Sequence, residues 1–146
     1  MTSYIVPDTL ASPEDYNKLP GAPAAPADIA ATLEACSDIV LRATITAVYD
    51  TDPETGLAVD PVIRQALTDA TCLQAAAWIT LGIKPYAGGV TQGGVATSKK
   101  IGSATVEYAG AVTAAAARAD AATNLVPSAL RRLQNRGLIG QHVRVV

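Results

Sequence analysis

The chain has 146 residues, which suits one domain with a single modest core. It contains no Phe, one Trp and one Met, and about a fifth of it is alanine, a residue that buries little area. No run approaches the roughly 20 apolar residues that a bilayer span needs, so composition excludes a membrane-crossing helix. So lean a core leads us to expect part of the apolar surface, Trp78 included, to be buried between subunits, with folding and association coupled.

The formal charge of −2 hides an asymmetry. Residues 1–98 hold four Lys/Arg against eleven Asp/Glu, a balance of −7, while residues 99–146 hold seven against two, a balance of +5. Such a dipolar chain suits nucleic acid at its basic end, or head-to-tail docking onto copies of itself or onto an acidic neighbour. Charge alone does not choose.

The opening Met-Thr-Ser-Tyr-Ile-Val-Pro-Asp lacks the basic and apolar regions of a signal peptide, so the chain is expected to stay where it is made. Residues 1–11 read as an extended leader. Ser12-Pro-Glu-Asp15 is then a compact helix start, with an N-cap serine, proline at the first position and acids at the positive helix end. Pro20-Gly-Ala-Pro-Ala-Ala-Pro26 ends that short helix as a stiff linker, giving an N-terminal arm over 1–26.

Residues 27–137 read as the helical domain. In its first arm Ile29, Leu33, Cys36, Val40, Ala43 and Ala47 recur at helical spacing on one stripe. The second arm opens at Asp60-Pro61, carries Ile63, Ala66, Leu67, Ala70, Leu73, Ala77 and Leu81 at the same period, and stops at Gly82. Each arm spans about 22 residues, or roughly 33 Å. The polar linker Tyr49–Val59 makes them antiparallel neighbours. The expected fold is therefore mainly α, a small helical bundle built on a long antiparallel helix hairpin.

From Gly82 to Ser98 the glycine pairs 88–89 and 93–94 and the missing hydrophobic period predict a loop. Alternation of Ala104, Val106 and Tyr108 with Thr105 and Glu107 predicts a strand or half a hairpin within Lys99–Ala109, a β excursion at about 83–110. An alanine-rich helix follows from Val112 to Asn124. Pro127 begins a last short helix that carries Leu130, Leu133 and three arginines and ends at Gly137. The tail, 138–146, alternates weakly and reads as a strand that needs a partner.

Few residues suggest chemistry. Asp50-x-Asp-x-Glu54 has the opening of a calcium loop, but Thr55 stands where glycine is required and Pro61 where a bidentate Glu is required, so a solvated turn is the better reading. Gly93-Gly-Val-Ala-Thr-Ser-Lys99 lacks the glycine before lysine and the preceding strand of a phosphate loop. Cys36 and Cys72 fall in helical patterns and read as structural thiols, ahead of a disulfide, a metal pair or a reactive thiol. His142, the single histidine, lies four residues from the end, and no serine sits in a nucleophile elbow. Neither a catalytic residue nor a metal or cofactor ligand is assigned, and an enzyme is not expected. Arg131, Arg132 and Arg136 are candidate contacts for phosphate or carboxylate groups, set against a solvated face with favourable charge at a helix end. Trp78 is read as core or as a protomer contact.

The order of several short stretches carries a resemblance. Ser12-Pro-Glu-Asp15, Arg42-Ala-Thr-Ile-Thr-Ala-Val-Tyr-Asp50, Asp52-Pro-Glu-Thr-Gly56, Asp60-Pro61, Asp69-Ala-Thr-Cys72, Ala77-Trp-Ile-Thr-Leu-Gly82, Ser98-Lys-Lys-Ile-Gly-Ser-Ala-Thr-Val-Glu-Tyr-Ala109 and the closing Pro127–Gly137 helix follow one another along nearly the whole chain. In that order the chain resembles the head-to-tail adaptor (head–tail connector) proteins of long-tailed phages of actinobacteria. The resemblance implies a structural virion protein, made in the host cytoplasm and resident at the head–tail junction. It implies a homo-oligomeric ring, usually dodecameric, bound to the portal and to the next neck or tail component. The ring extends the DNA channel, through which DNA passes without sequence-specific binding. The implied fold is a small helical bundle with extended or β-hairpin excursions, and no catalytic residues carry over. The longer leader with its Pro/Ala linker departs from the family pattern.

With that reading the candidate subunit or portal contacts are Trp78, Lys99, Lys100, Arg131, Arg132, Arg136, Val143, Arg144, Val145 and Val146. The alternative is a DNA-binding helical ring subunit associated with genome packaging, using the three arginines on phosphates.

Overall fold

A computed structural model describes residues 5–85 and 115–139. Four helices, α1 (Pro13–Asn17), α2 (Ile29–Ala43), α3 (Pro61–Leu81) and α5 (Pro127–Asn135), and a helical segment at 115–123, here α4, make up the architecture. Among the described residues extended pairing amounts to one antiparallel bridge, Thr51 with Ala58. The structure is mainly helical. The expected strand within Lys99–Ala109 and the tail strand lie outside the described residues.

Helix α3 is the longest described element, and its ends form as its sequence dictates. The Asp60 carboxylate accepts from the Val62 N–H at 2.8 Å, and Pro61 occupies the first turn. At the other end Gly82 takes φ 74°, a left-handed conformation. The Gly82 and Ile83 N–H groups then close on the Ile79 and Trp78 carbonyls at 3.2 and 2.9 Å. Ile83 itself is buried, in the same apolar cluster as Trp78. At α1 the expected N-cap serine is part of a complete capping box: Ser12 Oγ accepts from Asp15 N, and the Asp15 carboxylate accepts from Ser12 N.

Two apolar clusters flank α3. One joins Tyr16 of α1, Ile29, Leu33, Cys36 and Ile39 of α2, Cys72, Ala75 and Trp78 of α3, and Ala121 and Ala122 of α4. The other joins Val40, Ala66, Leu67 and Ala70 to Ala129 and Leu133 of α5, with Leu10, Ala58 and Leu138. Alanines supply Ala66, Ala70 and Ala75 on α3 and Ala129 on α5, so these helices pack closely while each contact buries little area.

Three expectations change. The first arm is helical for 15 residues rather than about 22, and Ala47 falls beyond its end. Thr44, Ile45 and Thr46 are β-branched and poor helix formers. The Thr44 hydroxyl also donates to the Val40 carbonyl at 2.9 Å, competing with the backbone ladder. The N-terminal segment is built in rather than set apart. Leu10 and Ala11 are buried, the Leu10 N–H donates to Ser37 Oγ at 2.8 Å, and Thr68 Oγ1 donates to the Leu10 carbonyl at 2.9 Å. One backbone stretch thereby ties α2 to α3. Lastly, Trp78 is 3 % exposed and lies inside the chain's own core, which removes it from the candidate contacts.

Candidate interaction surfaces

The interior explains why the surfaces hold their shape. Gln74, fully buried on α3, donates through Nε2 to the Ala121 and Asn124 carbonyls at 2.8 and 2.9 Å, and its Oε1 accepts from the Val126 N–H at 2.8 Å. Trp78 Nε1 donates to the same Ala121 carbonyl at 2.7 Å, and Arg118 Nε donates to the Leu81 carbonyl at 2.8 Å. The Gln74 and Trp78 bonds satisfy carbonyls at the α4 C-terminus and fix the turn into α5, while that of Arg118 satisfies the last carbonyl of α3. The indole of Trp78 thus positions α4; it is not offered to a partner.

Helix α5 is held by Ala129 and Leu133, both fully buried and one turn apart. Gly137 at φ 72° ends it, with Gly137 N–H on the Gln134 carbonyl and Leu138 N–H on the Leu133 carbonyl, both at 3.0 Å. Inward anchoring leaves Arg131, Arg132 and Arg136 exposed. Arg132 Nη1 lies 3.5 Å from Asp69 Oδ2 on α3, a half-exposed pair that contributes little stability. Among the described residues Arg131 and Arg136 make no ion pair. The arginine cluster is therefore an outward face, as its sequence suggests.

A second face lies along α2. Opposite the buried stripe, Ala31, Glu34, Ala35, Asp38 and Leu41 line an open groove of about 570 Å³, closed on its other side by Val6, Pro7 and Asp8. A neighbouring depression shares Val6, Asp38 and Leu41 and continues past the helix end to Ile45, Ala47 and Tyr49. Large apolar side chains stand outside here: Val6 is 55 % exposed, Ile45 79 % and Val48 96 %. The sequence carried a partial signal, Glu34 and Asp38 one turn apart on the polar side of α2. The groove itself needs the N-terminal segment folded back, which no local pattern announces.

The remaining candidates are quickly placed. Both thiols are buried and free. Burial, and for Cys36 the neighbouring Cys72, push them upward, Cys72 to about 12 through burial and the Asp15 and Asp69 carboxylates, so neither is a nucleophile at neutral pH. In the 50–61 loop Asp52 Oδ1 accepts from Glu54 N at 2.7 Å, and Gly56 takes φ 75°, so the acid serves a turn. Among the described residues no group of His, Cys, Asp or Glu is arranged to hold a metal ion, and no helix is long and apolar enough to cross a membrane. Lys99, Lys100, Val143, Arg144, Val145 and Val146 lie outside the described residues. The chain matches no protein-family model, no curated protein and no solved structure.

Proposed function

We propose that this chain is a structural virion subunit of the head-to-tail adaptor type, assembling as a homo-oligomeric, dodecameric ring between the portal and the next neck or tail component. One observation carries the reading. Ile45 and Val48 stand outside at the end of α2, beside an acid-rimmed groove, while the arginines gather on another face. Exposed apolar surface with a polar rim is the mark of an association site. A ring needs two different faces of one subunit to meet, and segregated charge supplies two.

In this reading α2 and α3 form the antiparallel pair of the adaptor bundle, and residues at about 83–110 form a β excursion. Residues Val143 to Val146 add a strand to a portal or neighbouring-subunit sheet, giving backbone bonding without demanding side-chain pockets. DNA passes through the channel without sequence-specific contact, and the protein works without a cofactor or catalysis. Deleting residues 141–146 is expected to abolish docking to the portal while leaving the helical circular dichroism intact. Unchanged docking refutes the role given to the tail.

The exposed Arg131, Arg132 and Arg136 favour a second reading, a DNA-binding ring subunit associated with packaging. It requires strong duplex binding that falls steeply with salt. The adaptor reading requires weak binding by the free subunit, because a channel wall must let DNA slide. Filter binding at two salt concentrations separates them, and tight, salt-sensitive retention rules for the second reading.

A further inference from the structure

The two depressions on α2 share Val6, Asp38 and Leu41, so they adjoin along the helix from Ala31 to Arg42, about 17 Å, and continue past its end to Ile45. The lining of this groove mixes apolar Val6, Ala31, Ala35, Leu41 and Ile45 with acidic Asp8, Glu34 and Asp38, and among the described residues Arg42 is the one cation that lines it. Arg42 pairs with Asp38 at 3.2 Å, but both side chains are about two-thirds exposed, so that pair exchanges readily with an incoming cation. Lys84 adjoins Pro85, which lines one end.

Helix α5 has the complementary features. From Pro127 to Ile139 the chain carries Arg131, Arg132 and Arg136 and no acid. Arg132 and Arg136 are one turn apart, as are Glu34 and Asp38, so the two charge pairs share a pitch of about 6 Å. Nine residues make α5 about 13 Å long, short enough for the groove. Arginine stems lie along apolar floors while their guanidinium groups reach a polar rim. A chain cannot make this contact with itself. Its own Arg132 and Arg136 border a different depression, at Pro61, Gln65 and Asp69, and no residue of α5 lines the groove.

We propose that the α2 groove receives the arginine face of α5 from a second copy of this chain, as the heterologous contact that builds the oligomer. The inference rests on the ring reading and names the surfaces that make it. Contacts between unlike faces propagate from copy to copy and close into a ring when the rotation permits.

The test uses the full-length chain in sedimentation velocity at low salt, with and without the portal. Two charge-reversed proteins are compared with the unaltered one, Glu34→Arg/Asp38→Arg and Arg132→Glu/Arg136→Glu. Each is expected to weaken self-association about tenfold or more, because like charges then face each other. Mixing the two is expected to restore assembly, since the reversed surfaces complement each other. Should Arg132→Glu/Arg136→Glu lose helical circular dichroism, Arg132→Gln/Arg136→Gln is measured in its place, with weakened association expected again. Assembly of the unaltered chain that neither reversal disturbs overturns this contact and leaves the ring reading standing. A chain that is monomeric up to about 1 mM, and remains so with the portal, overturns the ring reading and this contact together.

Discussion

Gln74 makes three hydrogen bonds from a position without solvent access, to backbone groups of a segment some fifty residues away. Gln74→Ala leaves the Asn124 carbonyl and the Val126 N–H without this partner, the Ala121 carbonyl with Trp78 Nε1, and a cavity behind; we expect a loss of about 2–4 kcal/mol, read from the urea midpoint. A loss under about 0.5 kcal/mol would show that the α4–α5 turn holds without it. Gly56 is a second sensitive residue. It has φ 75°, and a Cβ there would overlap the Ile5 carbonyl oxygen and press on Pro7. Gly56→Ala is expected to cost about 1–3 kcal/mol by strain and displacement of the N-terminal segment. The thiols give a pH signature. Folding raises both above their ordinary value of 9.0, so between about pH 9 and 12 the unfolded chain releases protons that the folded chain keeps. Stability is then full below pH 9 and falls as pH rises, by up to about 1.4 kcal/mol per pH unit for each thiol. Unfolding at pH 8 and 9.5 is expected to show that fall, and Cys36→Ala/Cys72→Ala to flatten it; an equal slope in the variant contradicts the assignment. Of these residues, sequence reasoning found the thiols' place in the interior but missed Gln74, whose partners lie far along the chain.

Elements were legible where their end signals are chemical. Asp60-Pro61 and Gly82 bound α3 as read, Ser12 and Asp15 cap α1, and Pro127 and Gly137 frame α5. The end of α2 was not legible, because the apolar period runs on to Ala47 while three β-branched residues and the Thr44 hydroxyl stop the helix first. Trp78, which the sequence leaves as either core or a protomer contact, is core: its Nε1 donates to the Ala121 carbonyl and its ring shares a cluster with Ala121 and Ala122 of α4. Helix α5 depends on α3 through Ala129 and Leu133. Leu133→Ala is expected to cost about 2–5 kcal/mol and to expose the α5 amides to hydrogen exchange before those of α3. Simultaneous exchange of both helices would mean that α5 does not open separately.

At the scale of the molecule, the interior accounts for a helical bundle with two flanking clusters, and the outside carries what that interior leaves over. An arginine face, an acid-rimmed groove and exposed Ile45 and Val48 belong to one subunit but serve contacts beyond it. The arginine face could be read from the sequence because a short helix carrying Leu130 and Leu133 must turn its charged positions outward, although it is Ala129 and Leu133 that are buried. The groove could not, since it joins residues 6–8 to α2 through a fold-back that only the assembled core imposes. The central claim is assembly, and native mass spectrometry of the full chain, alone and with the portal, tests it most directly. The account predicts a closed oligomer of one fixed multiple of the 14.9 kDa subunit, lost at high salt when the portal is absent. A species that stays at 14.9 kDa at every concentration, and remains so beside the portal, contradicts it.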